Sequence, residues 1–516
     1  MNAVPTHQKT WPVKRIKNYI LSIACLTTAH AYLQETKAVN LISLEGEHLF
    51  SSDVLYHHGG TLIAGRDNQV LFGGLIARMS EGLDSIEWAK KLSIDQTIVH
   101  PLRMRRLPNG NVLVALQDYA AGGNFLSGNI LLQEWTRQGN VVWSRRYGTF
   151  LSERPLDVLL TRDGKILVTA ETGYQNGNAI LLMLLDAQGN LLRHKLFHRG
   201  FYNYALASCE AGDRFAFTGN VYFNQKNSAF VLVTDRDLNF VNAALLEDKQ
   251  LQVNGLSLYW DSARAEIVTY AEHGSGFTVC ARFDTSLTSL GTHEFATGRI
   301  TYPMRLQQQQ FVFDDQQKIL YKSIGNALSA TGLFSDMGDL RHLDVDPAAG
   351  RLYALGFRQH PQTLLENLVI GQFPLEAIQG NCGLVNYSKD HSGSSTLRFV
   401  PYQFYTDSIA LYTAVPSDLK IQDVNLVMME QCRETISNTD DGEGRGPLKI
   451  FPNPTSDVLV FEGAIPGHAW IILGTDGRVR ISGTWHGARG RIDLSSLHAG
   501  IYFLQSGKNH LSLIIM

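Results

Sequence analysis

The chain has 516 residues, too many for one ordinary domain, and its 44% hydrophobic and 18% charged residues describe a folded protein with sizeable cores. Forty-five basic and 48 acidic residues leave a net charge of −3, with no basic run beyond the N-terminus, which argues against a nucleic-acid binder. Forty-six glycines announce many turns.

In chain order, residues 1–31 come first and read as a signal peptide. Lys14, Arg15 and Lys17 form a positive segment, and the apolar stretch 19–29 follows. That stretch is shorter than the roughly 20 residues a membrane span needs. Ala29 and Ala31 frame a small-x-small cleavage site, so the mature chain is expected to begin at Tyr32. Cys25 would offer a lipidation site instead, but Ser22 stands where that motif wants leucine. No transmembrane segment is expected, and the destination is the outer cell surface or the medium, by way of the periplasm.

Residues 40–380 are repetitive. Residues 107–148 and 161–197 share one grammar. A turn (Asn109-Gly110, Asp163-Gly164) leads into a short β-branched strand (112–114, 166–169) and then a polar loop. A longer apolar strand (130–132, 180–185) and a tight turn (138–140, 188–190) end the unit. Asn-Gly and Asp-Gly between apolar runs signal hairpins, because these residues tolerate positive φ. The turn glycines Gly60, Gly110, Gly164 and Gly212 recur at spacings of 50, 54 and 48 residues. Weaker copies continue to residue 374, and 311–334 is a degenerate one. Four short strands in about 50 residues, six or seven times over, is the arithmetic of a β-propeller. A linear array of β-sandwiches is the competing architecture, and uneven spacing without linkers counts against it.

The first repeats resemble the propeller-like repeats of secreted Bacteroidetes proteins through "LDAQGNLLRH" (185–194) and "TRQGNVVWSRRYG" (136–148), with Trp88 and Trp143 at equivalent places. Packing between blades is the expected role of both tryptophans.

Catalytic motifs do not appear. There is no HExxH, GxSxG, GxxxxGK[ST] or EF-hand loop, nor the Ser-x-Asp-x-Gly-x-x-Trp box of sialidase-like propellers. No catalytic residue, metal ligand or cofactor is therefore expected. Asp344 and Asp346 read as a solvated turn, since two carboxylates make a poor calcium site. His57 and His58 read as surface residues that, on a strand, would point to opposite faces. The polar loops 117–129, 171–178 and 220–228, rich in Tyr, Asn and Gln, are the candidate binding elements for a glycan or peptide.

Residues 381–435 read as additional strands that close the propeller or bridge onward, and 436–446 as a polar linker. Four cysteines remain after the leader, with three pairings open; Cys382 and Cys432 lie outside the repeats and could staple the segment between them. Residues 447–516 form a small immunoglobulin-like β-sandwich. Its signals, in order, are Pro452-Asn453-Pro454, then Asp476-Gly477-Arg478, then Leu494, Leu497, Gly500 and Tyr502 in "DLSSLHAGIYFLQ". The two prolines fix their own φ and remove two donors, which suits the entry to a strand.

This order resembles the type A C-terminal sorting domain of the type IX secretion system. The likeness implies recognition by an outer-membrane translocon and its sorting machinery, followed by surface attachment or release. The family often ends on a lysine-bearing strand, whereas here Lys508 stands alone before the last residues. A β-sandwich with no sorting role is the alternative. The expected whole is all-β: a six- or seven-bladed propeller and a sorting sandwich, acting as a non-catalytic binding protein. A hydrolase with carboxylates in the channel and a structural surface component are the competing functions.

Overall fold

The computed structural model describes residues 34–515, apart from 44–48, 68–72, 95–96, 121–127, 176, 224, 249, 296–303, 307–308, 315–318, 325–326, 335–338, 347, 360–365, 375–383, 386–389, 392–396, 408, 417, 425, 437–448, 452–457, 463–468, 475–478, 488 and 507–508. The chain divides into two compact units, Met1–Asn438 and Thr439–Met516. Among the described residues no helix is long and apolar enough to cross a membrane.

Among the described residues, the first unit is a β-propeller of seven antiparallel sheets. The first blade is Leu49–Tyr56, Gly60–Asp67, Gly74–Ser80 and Ile86–Ser93, numbered from the inside outward. The second (Thr97–Arg106 to Val141–Gly148), third (Glu153–Leu160 to Leu191–His198), fourth (Asn203–Ala211 to Phe240–Glu247) and fifth (Val253–Asp261 to Ser289–Phe295) repeat the pattern. The degenerate copy is the sixth blade, Met304–Leu306 to Ala327–Phe334. The seventh takes three strands from the end of the repeats, Asp339–Asp346, Arg351–Gln359 and Glu366–Pro374. Its fourth strand is Gln34–Ser43, the first of the chain, with Val39 opposite Ile370.

Apolar side chains lie between blades because each strand is sandwiched by neighbouring sheets and buries both faces. One core joins the first and second blades through Leu62, Ile76, Val99, Val114, Leu131 and Trp135. Others join the second to the third, the third to the fourth, the fourth to the fifth, and the seventh to the first. At the outer turns, the first, second and fourth blades each grip the next. Trp88 Nε1 donates to the Arg137 carbonyl (2.9 Å), Arg145 Nε to Gln188 (3.0 Å) and Asn242 Nδ2 to Ser286 (2.7 Å). Trp88 also stacks on Trp135, with centroids 6.0 Å apart, and Trp143 covers Gly189. Both tryptophans thus pack between blades.

The turns after the third strands share a device. Asp186 Oδ1 accepts from the backbone N–H groups of Gln188 and Asn190, and Asp235 and Asp284 do the same in the next two blades. One residue of each turn adopts positive φ: Gly139 (79°) and Gly189 (76°), but Leu238 (63°) and Leu287 (61°). Leu238 is fully buried; its apolar contact offsets the cost of a left-handed conformation that glycine adopts freely.

Residues 384–436 run around the outside as a belt. Short strands from it add a fifth member to the fourth blade (Arg398–Pro401), the third (Tyr405–Asp407), the second (Tyr412–Ala414) and the first (Lys420–Asp423). Leu426–Ile436 then pairs with Gln34–Ser43 of the seventh blade, and two short stretches near Leu384 and His391 pair with the sixth. The belt therefore meets the blades in reverse chain order. Gln34–Ser43, rather than the belt, supplies the fourth strand of the seventh blade.

The second unit is a β-sandwich. One sheet holds Lys449–Phe451, Val458–Glu462 and Arg489–Asp493; the other holds Val479–Thr484, Ala469–Gly474, Gly500–Ser506 and Asn509–Ile515 in that spatial order. Leu459, Ile472, Trp485, Leu494, Leu504 and Leu513 fill the space between them.

Candidate functional site

Among the described residues, the loops 149–152, 199–202 and 250–252, each leading from an outer strand to the next innermost strand, lie at the same end of the propeller as the hairpins joining second and third strands. Three consecutive loops there are built alike. The carbonyls of Ser152, Tyr202 and Gln252 accept from the backbone N–H groups of Gly173, Tyr222 and Gly274 at 2.9, 2.9 and 2.8 Å. The Phe201 carbonyl also accepts from Asn178 N–H (2.7 Å) and lies against Gly177, leaving no room for a Cβ there.

These loops present apolar side chains to solvent. Phe150 is 83% exposed, Phe201 59%, Tyr202 52% and Leu251 39%. These four residues stand on three successive loops, from 149–152 to 250–252. The aromatic border continues outward. Tyr202 meets the Tyr222 ring edge-on at 6.3 Å, and the Arg199 guanidinium lies over the belt residue Tyr402 at 4.6 Å. Tyr174 and His198 meet at 4.6 Å, and His198 meets Tyr405 at 5.8 Å.

Beside Leu251 the fifth blade opens a cleft of about 470 Å³, lined by Gln250, Gln252, Asn254, Glu272, His273 and the hairpin glycines. Asp248 stands at its edge, its carboxylate accepting from Gln250 and Leu251 N–H at 2.7 and 2.8 Å. Those two backbone bonds hold its pKa below the usual carboxylate range. His273 is buried; its Nδ1 pairs with Ser275 Oγ at 2.5 Å, while Nε2 has no hydrogen-bond partner and stands 3.6 Å from Asp248 Oδ2.

The innermost strands carry a second concentration of polar groups. Six of them have a bulge at the same place, the first between Ser51 and Asp53 and the third between Pro155 and Asp157. In the first and third blades the residue after the bulge is an aspartate that reaches the next blade. Asp53 accepts from Met104 N–H at 2.7 Å and from its neighbour Val54 at 3.0 Å. Asp157 accepts from the N–H and hydroxyl of Ser208, both at 2.8 Å, and pairs with Arg105 at 2.7 Å. Asp344, two residues past its bulge, accepts from Tyr56 N–H and pairs with Arg106. Burial raises Asp53 despite Arg103 and Arg105, and raises Asp344 to about 6. These carboxylates are committed to stitching blades together.

Two expectations need correction. Asp344 and Asp346 are not a solvated turn: Asp346 is buried and Asp344 is the clamp just described. His57 is not a surface residue; it is 3% exposed and donates from Nε2 to the Gly110 carbonyl at 2.9 Å, while His58 remains outside. Both errors have one cause. The partners come from another blade, 53 residues away for His57 and 288 for Asp344.

Of the candidate sorting residues, Leu494 is fully buried, and Leu497 and Tyr502 pack against the same core. Leu497 N–H donates to the Leu494 carbonyl at 2.8 Å, and Tyr502 Oη donates to the His498 carbonyl at 2.9 Å. Gly500 pairs with Ile515. Pro452, Asn453, Pro454, Asp476, Gly477, Arg478, Ala29, Ala31 and Cys382 lie outside the described residues, as does the side chain of Cys432, whose backbone pairs with Ala38. Of the named loops, 117–129 has its tip outside them too; 171–178 and 220–228 end in tight turns with Gln175 and Gln225 at positive φ. The exposed Phe150, Phe201, Tyr202 and Leu251 were missed from sequence. Their signal was an apolar residue recurring about every 50 positions where a connecting loop should be polar.

No family model matches the chain, and no curated protein matches it either. Solved structures similar to it include a Bacteroides caccae protein of unknown function (10% identity, 66% of this chain and 94% of that chain covered, TM-score 0.32). The polysaccharide lyase Uly1 (8% identity, 66% and 100% covered, TM-score 0.40) and the phage phi92 endosialidase (7% identity, 83% and 85% covered, TM-score 0.38) are also similar. Likeness at this level carries no argument about activity.

Proposed function

We propose that the chain is an exported, non-catalytic binding propeller whose ligand lies across the loop end of its third, fourth and fifth blades. The observation that carries this reading is the exposure of Phe150, Phe201, Tyr202 and Leu251 on three successive hydrogen-bonded loops, the last of which borders a polar cleft. Rigid aromatic anchors next to convergent polar groups are what a binding site requires. The hydrolase reading needs a free pair of carboxylates with one raised pKa. The raised Asp53 and Asp344 instead spend their oxygens on neighbouring backbone and arginine groups.

Delivery to the cell surface by type IX secretion is the second part of the proposal. It rests on the order of the three C-terminal motifs and on the separate sandwich in which Leu494, Leu497 and Tyr502 share a core. The translocon and its sorting machinery would be the partners of that unit. Two experiments test the two parts. Glycan and peptide arrays probed with the full chain should give binders that Phe201→Ala loses; a blank on every array removes the binding reading. Deleting residues 437–516 should leave the protein in the periplasm on fractionation, and continued surface display removes the sorting reading.

A further inference from the structure

The two loops that carry Phe150 and Phe201 are fastened to one hairpin. It is formed by Ile166–Tyr174 and Gly177–Leu185 of the third blade. From its first strand, Gly173 N–H donates to the Ser152 carbonyl at 2.9 Å. From its second, Asn178 N–H donates to the Phe201 carbonyl at 2.7 Å. Gly173 and Asn178 are themselves cross-strand partners, so about 5 Å of ribbon separates the two attachment points. The fit is close: a Cβ on Gly177 would stand 1.6 Å from the Phe201 carbonyl oxygen.

Each loop is then closed by the residue that leaves it. Glu153 is fully buried, and its carboxylate takes the N–H of Thr149, four residues earlier, at 3.1 Å. The Thr149 hydroxyl donates to the same carboxylate and accepts from Leu151 N–H at 2.9 Å. Thr172 of the hairpin adds a third donor at 3.0 Å. In the next blade Asn203, buried as completely, repeats the move. Its Oδ1 takes Arg199 N–H at 3.0 Å, and its Nδ2 donates to the Asn178 carbonyl at 2.9 Å. An ionised carboxylate only accepts, which suits Glu153 to three donors; an amide does both, which suits Asn203 to one of each. Neither side chain has surface with which to touch a ligand. Both set the backbone that carries Phe150 and Phe201, and loops held in shape beforehand lose less freedom on binding.

Resting on the binding reading above, we infer that this hairpin is a brace joining the Phe150 and Phe201 loops into one presenting unit, and that Glu153 and Asn203 are its positioning residues. The hairpin acts through its backbone, by holding the neighbours that make the contacts. A ligand therefore meets two loops whose relative placement is set before it arrives.

The test is hydrogen exchange of the full chain, read by mass spectrometry, together with the glycan and peptide arrays. Thr149→Val keeps the shape of the side chain and removes its hydroxyl. Residues 149–153 should then exchange about tenfold faster, and Thr149→Ser should restore the parent rate. Asn203→Ala should have the same effect on residues 199–203. Gly177→Ala should quicken both loops together while the first blade stays as protected as in the parent. On the arrays, every feature bound by the parent should lose about tenfold in signal with Thr149→Val and regain it with Thr149→Ser, although residue 149 is buried. Circular dichroism confirms folding, and the near-isosteric Thr149 pair decides if Asn203→Ala unfolds. Unchanged exchange in Thr149→Val overturns the positioning role. Faster exchange in only one loop of Gly177→Ala overturns the brace. Loops that loosen while every array signal holds reduce the contacts to fold closure and overturn the inference. A parent that binds no feature overturns the binding reading itself, whatever the exchange shows.

Discussion

The carboxylate of Asp344, in the seventh blade, accepts a hydrogen bond of 2.7 Å from the backbone N–H of Tyr56 in the first. Arg106 of the second blade reaches the same oxygen and also the Tyr56 carbonyl, at 2.5 Å. Three blades therefore meet at one side chain. The linkage is electrostatic, so it should be visible in the pH dependence of stability.

Asp344 has its pKa raised to about 6 in the folded state, from an ordinary value of 3.8, because burial penalises the charge more than Arg106 favours it. The folded protein then holds this proton more tightly than the unfolded chain. The contribution is most favourable below pH 3.8 and declines as pH rises through 6. The decline amounts to roughly 2–3 kcal/mol. Asp344→Asn should remove that part of the slope: urea melts from pH 4 to 7 should show the variant less pH-sensitive than the parent. An unchanged difference between the two across this range would refute the assignment.

Leu238 is left-handed and fully buried. Leu238→Ala should lose about 2–4 kcal/mol, since the cavity opens and the strained φ remains. Leu238→Gly loses the same contacts but relieves the backbone, and should be about 1 kcal/mol less harmful. Chemical denaturation of the pair reads the order, which is the reverse of what glycine and alanine do in an ordinary strand.

Phe150 and Phe201 spend most of their surface in water, 83% and 59%. Phe150→Ser and Phe201→Ser should change unfolding free energy by less than about 0.5 kcal/mol, as surface substitutions usually do. A fall in thermal midpoint of many degrees would show that these rings support the fold rather than a ligand.

The belt can be tested by length. A chain ending at residue 436 keeps every fifth strand; one ending at residue 380 leaves the outer strands of six blades unpaired among the described residues. Bare edges are templates for further pairing. The shorter chain should aggregate on gel filtration and the longer one should remain monodisperse.

The architecture was legible where structure is local. Asn109-Gly110 and Asp163-Gly164 announce hairpins because the turn residues and both strands lie within a few positions of each other, and the strands appear there, longer by several residues than the apolar cores of the pattern. Val112 begins its strand as read, but the strand runs to Ala120. What escaped depends on distant partners. Gln34–Ser43 carries no mark of a blade whose other strands begin at Asp339. Lys420–Asp423 is exposed at every position and alternates nothing, so its pairing with Lys90–Ser93 could not be seen. The same holds for the site: His273 looks like any strand histidine until Asp248 is brought beside it from the preceding loop.

The belt also fixes an order of events. Blades two to five can each form from contiguous residues as the polypeptide emerges during synthesis. The seventh cannot be completed until residue 374 has been made, because its fourth strand has been waiting since residue 34. The outer edges wait longer still, until residues 384–436 arrive and travel back past the blades. A nascent chain therefore spends most of its synthesis with open edges, and the last residues of the propeller unit to appear are the ones that seal it.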